Sequence, residues 1–203
     1  MSLHPHIKQE VLKSLQRYEG RIKHLYLDSV GKVTIGVGHL VSARSSMSPL
    51  PMYKLGANGA NVVASTQEKQ SEYEMIMRQP VGYSASWYKK HTRLFMKDSD
   101  IDRLLNEHLE VFHMELCRIY KKSKGYPNDF DKLPHSVQIA LFDLIFNLGA
   151  HGLTHKFPVL NACLMAGDWA RAAQQSHRPQ LSMARNQYVM QLFLSVAREE
   201  AVQ

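Results

Sequence analysis

Residues 18–39 read Tyr18-Glu19-Gly20-Arg21-Ile22-Lys23-His24-Leu25-Tyr26-Leu27-Asp28-Ser29-Val30-Gly31-Lys32-Val33-Thr34-Ile35-Gly36-Val37-Gly38-His39. Upstream, Ile7, Val11, Leu12, Leu15 and Tyr18 are spaced to form one face of a helix. Glu19-Gly20 ends that run, because glycine is a common helix stop. Ile22, Leu25 and Leu27 lead into Asp28-Ser29-Val30-Gly31, a turn-forming cluster. Val33, Ile35 and Val37 then alternate with small or polar residues, the pattern of a half-buried strand. The stretch therefore predicts a helix with a carboxyl at its C-terminal end, followed by a hairpin over 21–39 that carries a second carboxyl.

Two carboxylates on rigid elements, with a hydroxyl nearby, are the groups that glycosidic bond cleavage requires. One carboxylic acid protonates the leaving oxygen, and the other carboxylate activates water or stabilises the cationic sugar. Glu19 beside Tyr18 is placed for partial desolvation, which favours the protonated acid. Asp28 on a turn stays solvated and ionised. The hydroxyl of Thr34, on the returning strand, is placed to hold a water. Each residue alone also has an ordinary structural reading: a helix-terminal acid, a turn former and a strand residue. Gly36, Gly38 and His39 close the unit, and His39 is expected to be a buried or half-buried imidazole paired with a carboxylate from elsewhere, not a catalytic base.

Glu19-Gly20, Tyr26-Leu27-Asp28-Ser29-Val30-Gly31 and Thr34-Ile35-Gly36-Val37-Gly38-His39 together resemble the signature of the T-even-phage-type lysozymes. That pattern is Glu-Gly, Tyr-x-Asp-x-x-Gly and Thr-Ile-Gly-x-Gly-His, with offsets of nine residues from Glu to Asp and six from Asp to Thr, both present here. The resemblance implies a catalytic triad of Glu19, Asp28 and Thr34. Glu19 would be the general acid, Asp28 and Thr34 would position the hydrolytic water, and the anomeric carbon would be inverted. Further on, the apolar run from Ser136 to Gly149 resembles the central helix of these enzymes. Leu164-Met165-Ala166-Gly167-Asp168-Trp169-Ala170-Arg171-Ala172-Ala173 resembles their short helix, tight turn and Trp-led helix. Arg185, nine residues after Ser176, stands where the family places an arginine against the catalytic glutamate; as a bare sequence feature it is equally a surface helix residue. His177, Arg178 and Pro179 depart from the pattern, and residues 42–133 hardly match it.

The chain has 203 residues, 44% of them apolar, and a formal net charge of +7. Such a length fits one domain, or two lobes sharing a helix. The positive charge favours polyanionic partners, among them nucleic acid, anionic membrane and bacterial cell wall. No nucleic-acid recognition motif accompanies it. Cys117 and Cys163 are too few for a disulfide framework or a metal site; free thiols are expected, with a single disulfide left open. The N-terminal segment has no apolar core of a signal peptide, and no run reaches a membrane-spanning length of roughly 18 residues.

The expected organisation is a single α+β, mainly α, lysozyme-like domain over 1–203. Its N-terminal lobe (1–100) would hold the hairpin 21–39 and an insertion over 42–97. Residues 98–124 would form a connecting helix, and 130–203 a helical C-terminal lobe. Residues 42–64 have loop composition, and 67–77 form an acidic helical patch. Trp87, Tyr88 and Phe95 with basic neighbours either stack on sugars or cover the core. The last helix, from about Ser182 to Ala201, would pack through Ala184, Tyr188, Leu192 and Val196. The resemblance implies hydrolysis of the β-1,4 bond from N-acetylmuramic acid to N-acetylglucosamine in peptidoglycan, by a monomer without metal or cofactor. It would reach the wall through a holin-made hole or a secretion system, in the second case with a cognate immunity protein. The alternative is a catalytically inactive module that binds cell wall or polyanions.

Overall fold

Helix α1 runs over Pro5–Glu19 and buries Ile7, Val11 and Leu15 on one side, the stripe set by the 3.6-residue period. The computed structural model describes residues 3–202. It is 61% helical with small antiparallel sheets, a mainly α member of the α+β class. The chain divides into two units: Glu19–Glu107 forms one, and the segment ending at Tyr18 joins the chain from His108 onward to form the other. Helix α4 (Asp98–Ile119) runs from the first into the second.

In the Glu19–Glu107 unit, β1 (Ile22–Leu27), β2 (Val33–Gly36) and β3 (His39–Leu40) form an antiparallel sheet in that order. All four residues of β2 are buried, so this strand is covered on both faces instead of one, and Val37 lies beyond it in the turn to β3. Alternation misread it because Thr34 and Gly36 look solvent-facing on composition alone. The register between β1 and β2 shifts between Ile22 and Tyr26, an irregularity that increases local twist and re-aims side chains.

The stretch 42–64 is not the plain loop that its composition predicts. It contains a 3-10 turn at Arg44–Met47 and a hairpin of β4 (Tyr53–Leu55) and β5 (Asn61–Val63). Asn58-Gly59 is the missed signal, since Gly59 at φ 75° makes the reversal and Asn-Gly between strands is a strong hairpin cue. Helix α2 (Thr66–Met77) begins with a capping box in which Ser65 and Glu68 satisfy each other's backbone amides. Two buried charged residues on α2 hold the segments around it. The Lys69 ammonium donates to the Ser48 and Leu50 carbonyls at 2.7 and 2.8 Å. The Glu72 carboxylate accepts from the amides of Arg93 at 2.7 Å and Leu94 at 3.0 Å. Residues 94–96 in turn pair with β4 through Tyr53 and Phe95, and the Met96 amide reaches the Lys23 carbonyl of β1 at 2.8 Å. In α3 (Ala85–Tyr88), Tyr88 is fully buried. Trp87 stacks on Tyr83 at 4.2 Å with Lys90 over its ring. The core-covering reading holds for Tyr88, and the rings around Trp87, Tyr83, Tyr88 and His91, come from its own segment.

In the other unit, α5 (His135–His155) is the central helix, with Val137 through Ile145 buried without interruption. It breaks at Gly149 (φ 66°, ψ 168°), a conformation that L side chains avoid. It is also the one described helix long and apolar enough to cross a membrane, but 61% of that window is buried inside the protein, as expected of a core helix. Helices α6 (Pro158–Ala166) and α8 (Met183–Ala201, capped by Ser182) pack against it, and α7 (Trp169–Gln175, capped by Asp168) packs against both of these. The buried face of α8 is Arg185, Asn186, Val189, Phe193 and Val196; of the predicted stripe Val196 is buried, Tyr188 and Leu192 are half-buried and Ala184 is exposed. The reason is polar. Asp143, 1% exposed in the middle of α5, takes Arg178 at 2.7 Å and Arg185 at 3.0 Å. Asn186 brackets the Arg178 backbone with two 2.9 Å hydrogen bonds. Both cysteines are free.

Burial pushes the Glu72 carboxyl up from 4.5 to about 6, although the two amides it accepts favour its ionised form. The folded protein therefore holds this proton more tightly than the unfolded chain. Its contribution is fully present below about pH 4.5 and is lost as pH rises through 6. Urea denaturation at pH 4 and pH 7 should show about 2 kcal/mol of pH-dependent stability that Glu72→Gln abolishes. An unchanged pH dependence in the variant would show that Glu72 is not its source.

Candidate active site

Glu19 is the last residue of α1, and Gly20 at φ 76° turns the chain directly into β1. Only glycine adopts that backbone without strain, so the sequence Glu-Gly fixes a half-buried carboxyl at the junction. Asp28 ends the other side of the same strand. Its Oδ1 accepts the amides of Val30 at 3.0 Å and Lys32 at 2.8 Å. The backbone adds Asp28 N–H to the Lys32 carbonyl at 2.9 Å and Gly31 N–H to the Asp28 carbonyl at 3.0 Å. This is an Asx-type turn in which the side chain substitutes for a backbone acceptor. Asp28 is thus a turn former, as its ordinary reading has it. Both side-chain bonds use the same oxygen, so the turn occupies one of the two carboxylate oxygens.

Thr34 lies directly across the ladder from Tyr26, and directly opposed residues project from the same face of a sheet. It is 4% exposed, and its hydroxyl donates to the Lys32 carbonyl at 3.2 Å. Tyr26 links the three predicted residues. Its phenol is pushed up to about 12, first by burial and then by the negative charges of Glu19 and Asp28. One side chain therefore senses both carboxylates and shares its face with the hydroxyl. The sequence reading quoted Tyr26 within the motif but gave it no role; the pairing register, invisible without the bulge, supplies one.

Gly36, at φ 69° in the buried strand, is required for its conformation. A Cβ there would meet Ile101 at an ordinary 3.6 Å. His39 is half-buried on β3, opposite Ile35. Arg185 belongs to the other unit, where it is 4% exposed, pairs with Asp143 and lies 5.8 Å from the centroid of the Tyr18 ring. It is not the surface residue that its bare sequence context allowed. Asp143 and Arg178, its partners in that cluster, carried no motif and were missed. Their signal was a charged residue in the middle of an apolar helix.

Compared with models of known protein families and with curated proteins, the sequence matches none of them.

The Asx-type turn separates two roles of Asp28. Asparagine keeps the accepting oxygen and removes the charge. In urea denaturation, Asp28→Asn should stay within about 0.5 kcal/mol of wild type and Asp28→Ala should lose about 1 kcal/mol, one neutral hydrogen-bond acceptor. Equal losses in both would show that charge, not the acceptor, holds the turn.

Proposed function

We propose that this chain is a peptidoglycan muramidase with a two-lobed lysozyme-like fold, of the kind that the signature in residues 19–39 implies. The observation that supports it most is Tyr26, which feels the charges of Glu19 and Asp28 and faces Thr34 across the ladder. Tyr26 thereby ties the two acids and the hydroxyl of the signature to one strand pair of a small sheet.

In this reading Glu19 protonates the glycosidic oxygen as the bond to C1 of N-acetylmuramic acid breaks. A water attacks C1 from the opposite side, and Asp28 takes its proton. The configuration inverts. Solvent then returns a proton to Glu19 and removes one from Asp28. Thr34 has a defined part. Its own proton goes to the Lys32 carbonyl, so Oγ1 meets the water as an acceptor. The water then donates one hydrogen to Thr34 and one to Asp28, which aims a lone pair at the sugar carbon. Gly36 supports the strand that carries Thr34. In this scheme His39 supports the site without reacting. The enzyme would act on the wall after delivery through a holin-made hole or a secretion system, and a secreted form would need an immunity protein.

The charge of +7 supports a second reading, a non-catalytic module that binds wall polymers or other polyanions. Turbidity of purified cell walls separates the two. Wild type should clear them, and Glu19→Gln should lose on the order of 10²–10⁴-fold in rate with an unchanged circular dichroism melt. Binding without clearing by wild type would favour the module. Wild-type clearing by Glu19→Gln would remove that residue from the mechanism.

A further inference from the structure

Helix α4 places His113 and Cys117 one turn apart, on the same face. The chain then turns back, and the 3-10 turn Phe130–Lys132 brings Asp131 against both. His113 Nε2 lies 2.7 Å from Asp131 Oδ1 and 3.4 Å from Cys117 Sγ. Sγ is 3.8 Å from the same Oδ1. The His113 ring is nearly buried, with Phe130 and Phe142 packed at 5.9 and 6.4 Å. On its open side the group borders a hollow of about 590 Å³, also lined by Met114, Arg118, Lys121 and Lys132.

A cysteine, a histidine and an aspartate in contact have two chemical readings. In a nucleophilic triad the imidazole uses one nitrogen for the thiol and the other for the carboxylate. Here a single nitrogen, Nε2, faces both. Burial and the charge of Asp131 also push the Cys117 thiol up to about 11, the opposite of an activated nucleophile. Three donor atoms converging on one point is instead the geometry of metal ligands. For tetrahedral zinc, with sulfur at ~2.3 Å and nitrogen or oxygen at ~2.0–2.1 Å, the donors stand roughly 3.3–3.6 Å apart. The Cys117–His113 contact of 3.4 Å lies inside that range, and the Cys117–Asp131 contact of 3.8 Å lies just above it. The His113–Asp131 pair needs to open by about 0.6 Å from its hydrogen-bonded 2.7 Å.

We propose that His113, Cys117 and Asp131 form a binding site for a divalent transition metal of the zinc class. On sequence alone Cys117 and Cys163 are too few for a metal site. The fold supplies the third ligand from fourteen residues on, a separation that no short motif encodes. Thiolate and imidazole select zinc-like ions over magnesium or calcium. On binding, the thiol proton leaves to solvent, and thiolate plus carboxylate neutralise the dication. The fourth position opens onto the hollow, where a water completes the shell. The site clips the second half of α4 to the 130–132 turn and is independent of the glycan-cleaving reading.

The test uses the full chain, stripped with chelator and titrated with zinc against a colorimetric competitor, and with cobalt by absorption spectroscopy. One zinc per chain should bind at submicromolar concentration, and cobalt should give a sulfur-to-metal charge-transfer band. Cys117→Ser should abolish the band and weaken zinc on the order of 100-fold or more. Asp131→Asn should also weaken zinc, and Cys163→Ser should change neither property. The band is the discriminating readout, because the stacked His151–His155 pair, 4.1 Å between centroids, contributes no sulfur. No zinc binding tighter than about 10 μM in wild type, or a band that persists in Cys117→Ser, would overturn the proposal.

Discussion

Asp28 Oδ1 accepts two backbone amides across four residues, and the candidate site depends on that pair of bonds. They close the β1–β2 turn and so set which residue of β2 faces which residue of β1. A slip of one position would send Thr34 to the opposite face of the sheet, away from Tyr26. The same two bonds also fix where the Asp28 carboxylate stands. Turn chemistry and site chemistry thus share one side chain. The structural and functional readings of Asp28 are therefore compatible, since the turn engages one oxygen only. Gly20 plays the corresponding part at the other end of β1: its positive φ lets the helix end at a carboxylate and the strand begin at once.

Local signals were the legible ones. Helix α1, the turn at Asp28 and the Asp98 start of α4 were readable because capping, turn chemistry and 3.6-residue periodicity act within a few residues. The long apolar run of α5 announced a buried helix. The small β4–β5 hairpin was lost among serines, prolines and glycines, whose loop-like composition hid the Asn58-Gly59 turn. The face of α8 was misjudged because periodicity counts apolar residues. Arg185 and Asn186 are inside that face through partners on α5 and in the 178 segment. Long-range polar pairing leaves no period in the sequence.

Buried charge recurs as the way this chain orders its less regular parts. Lys69 and Glu72 hold the segments on either side of α2. Asp143 gathers Arg178 and Arg185 beneath α8. Such clusters cost desolvation energy and return it only when every partner is in place, so they specify one arrangement more than they add stability. Asp28 and Thr34 come from the other kind of order, a short hairpin whose turn the Asp28 side chain closes, and Glu19 from the end of the helix before it. This contrast explains why the hairpin was visible from the sequence while the buried charge clusters were not.

In the proposed reaction a water, held by Asp28 and Thr34, ends up on the muramic acid carbon. Reducing-end analysis of purified glycan strands digested by the wild-type protein tests it most directly. Digestion should yield new free reducing ends on N-acetylmuramic acid, found by borohydride reduction and mass spectrometry. Anhydromuramic ends, reducing ends on N-acetylglucosamine, or glycan strands of unchanged length would contradict it.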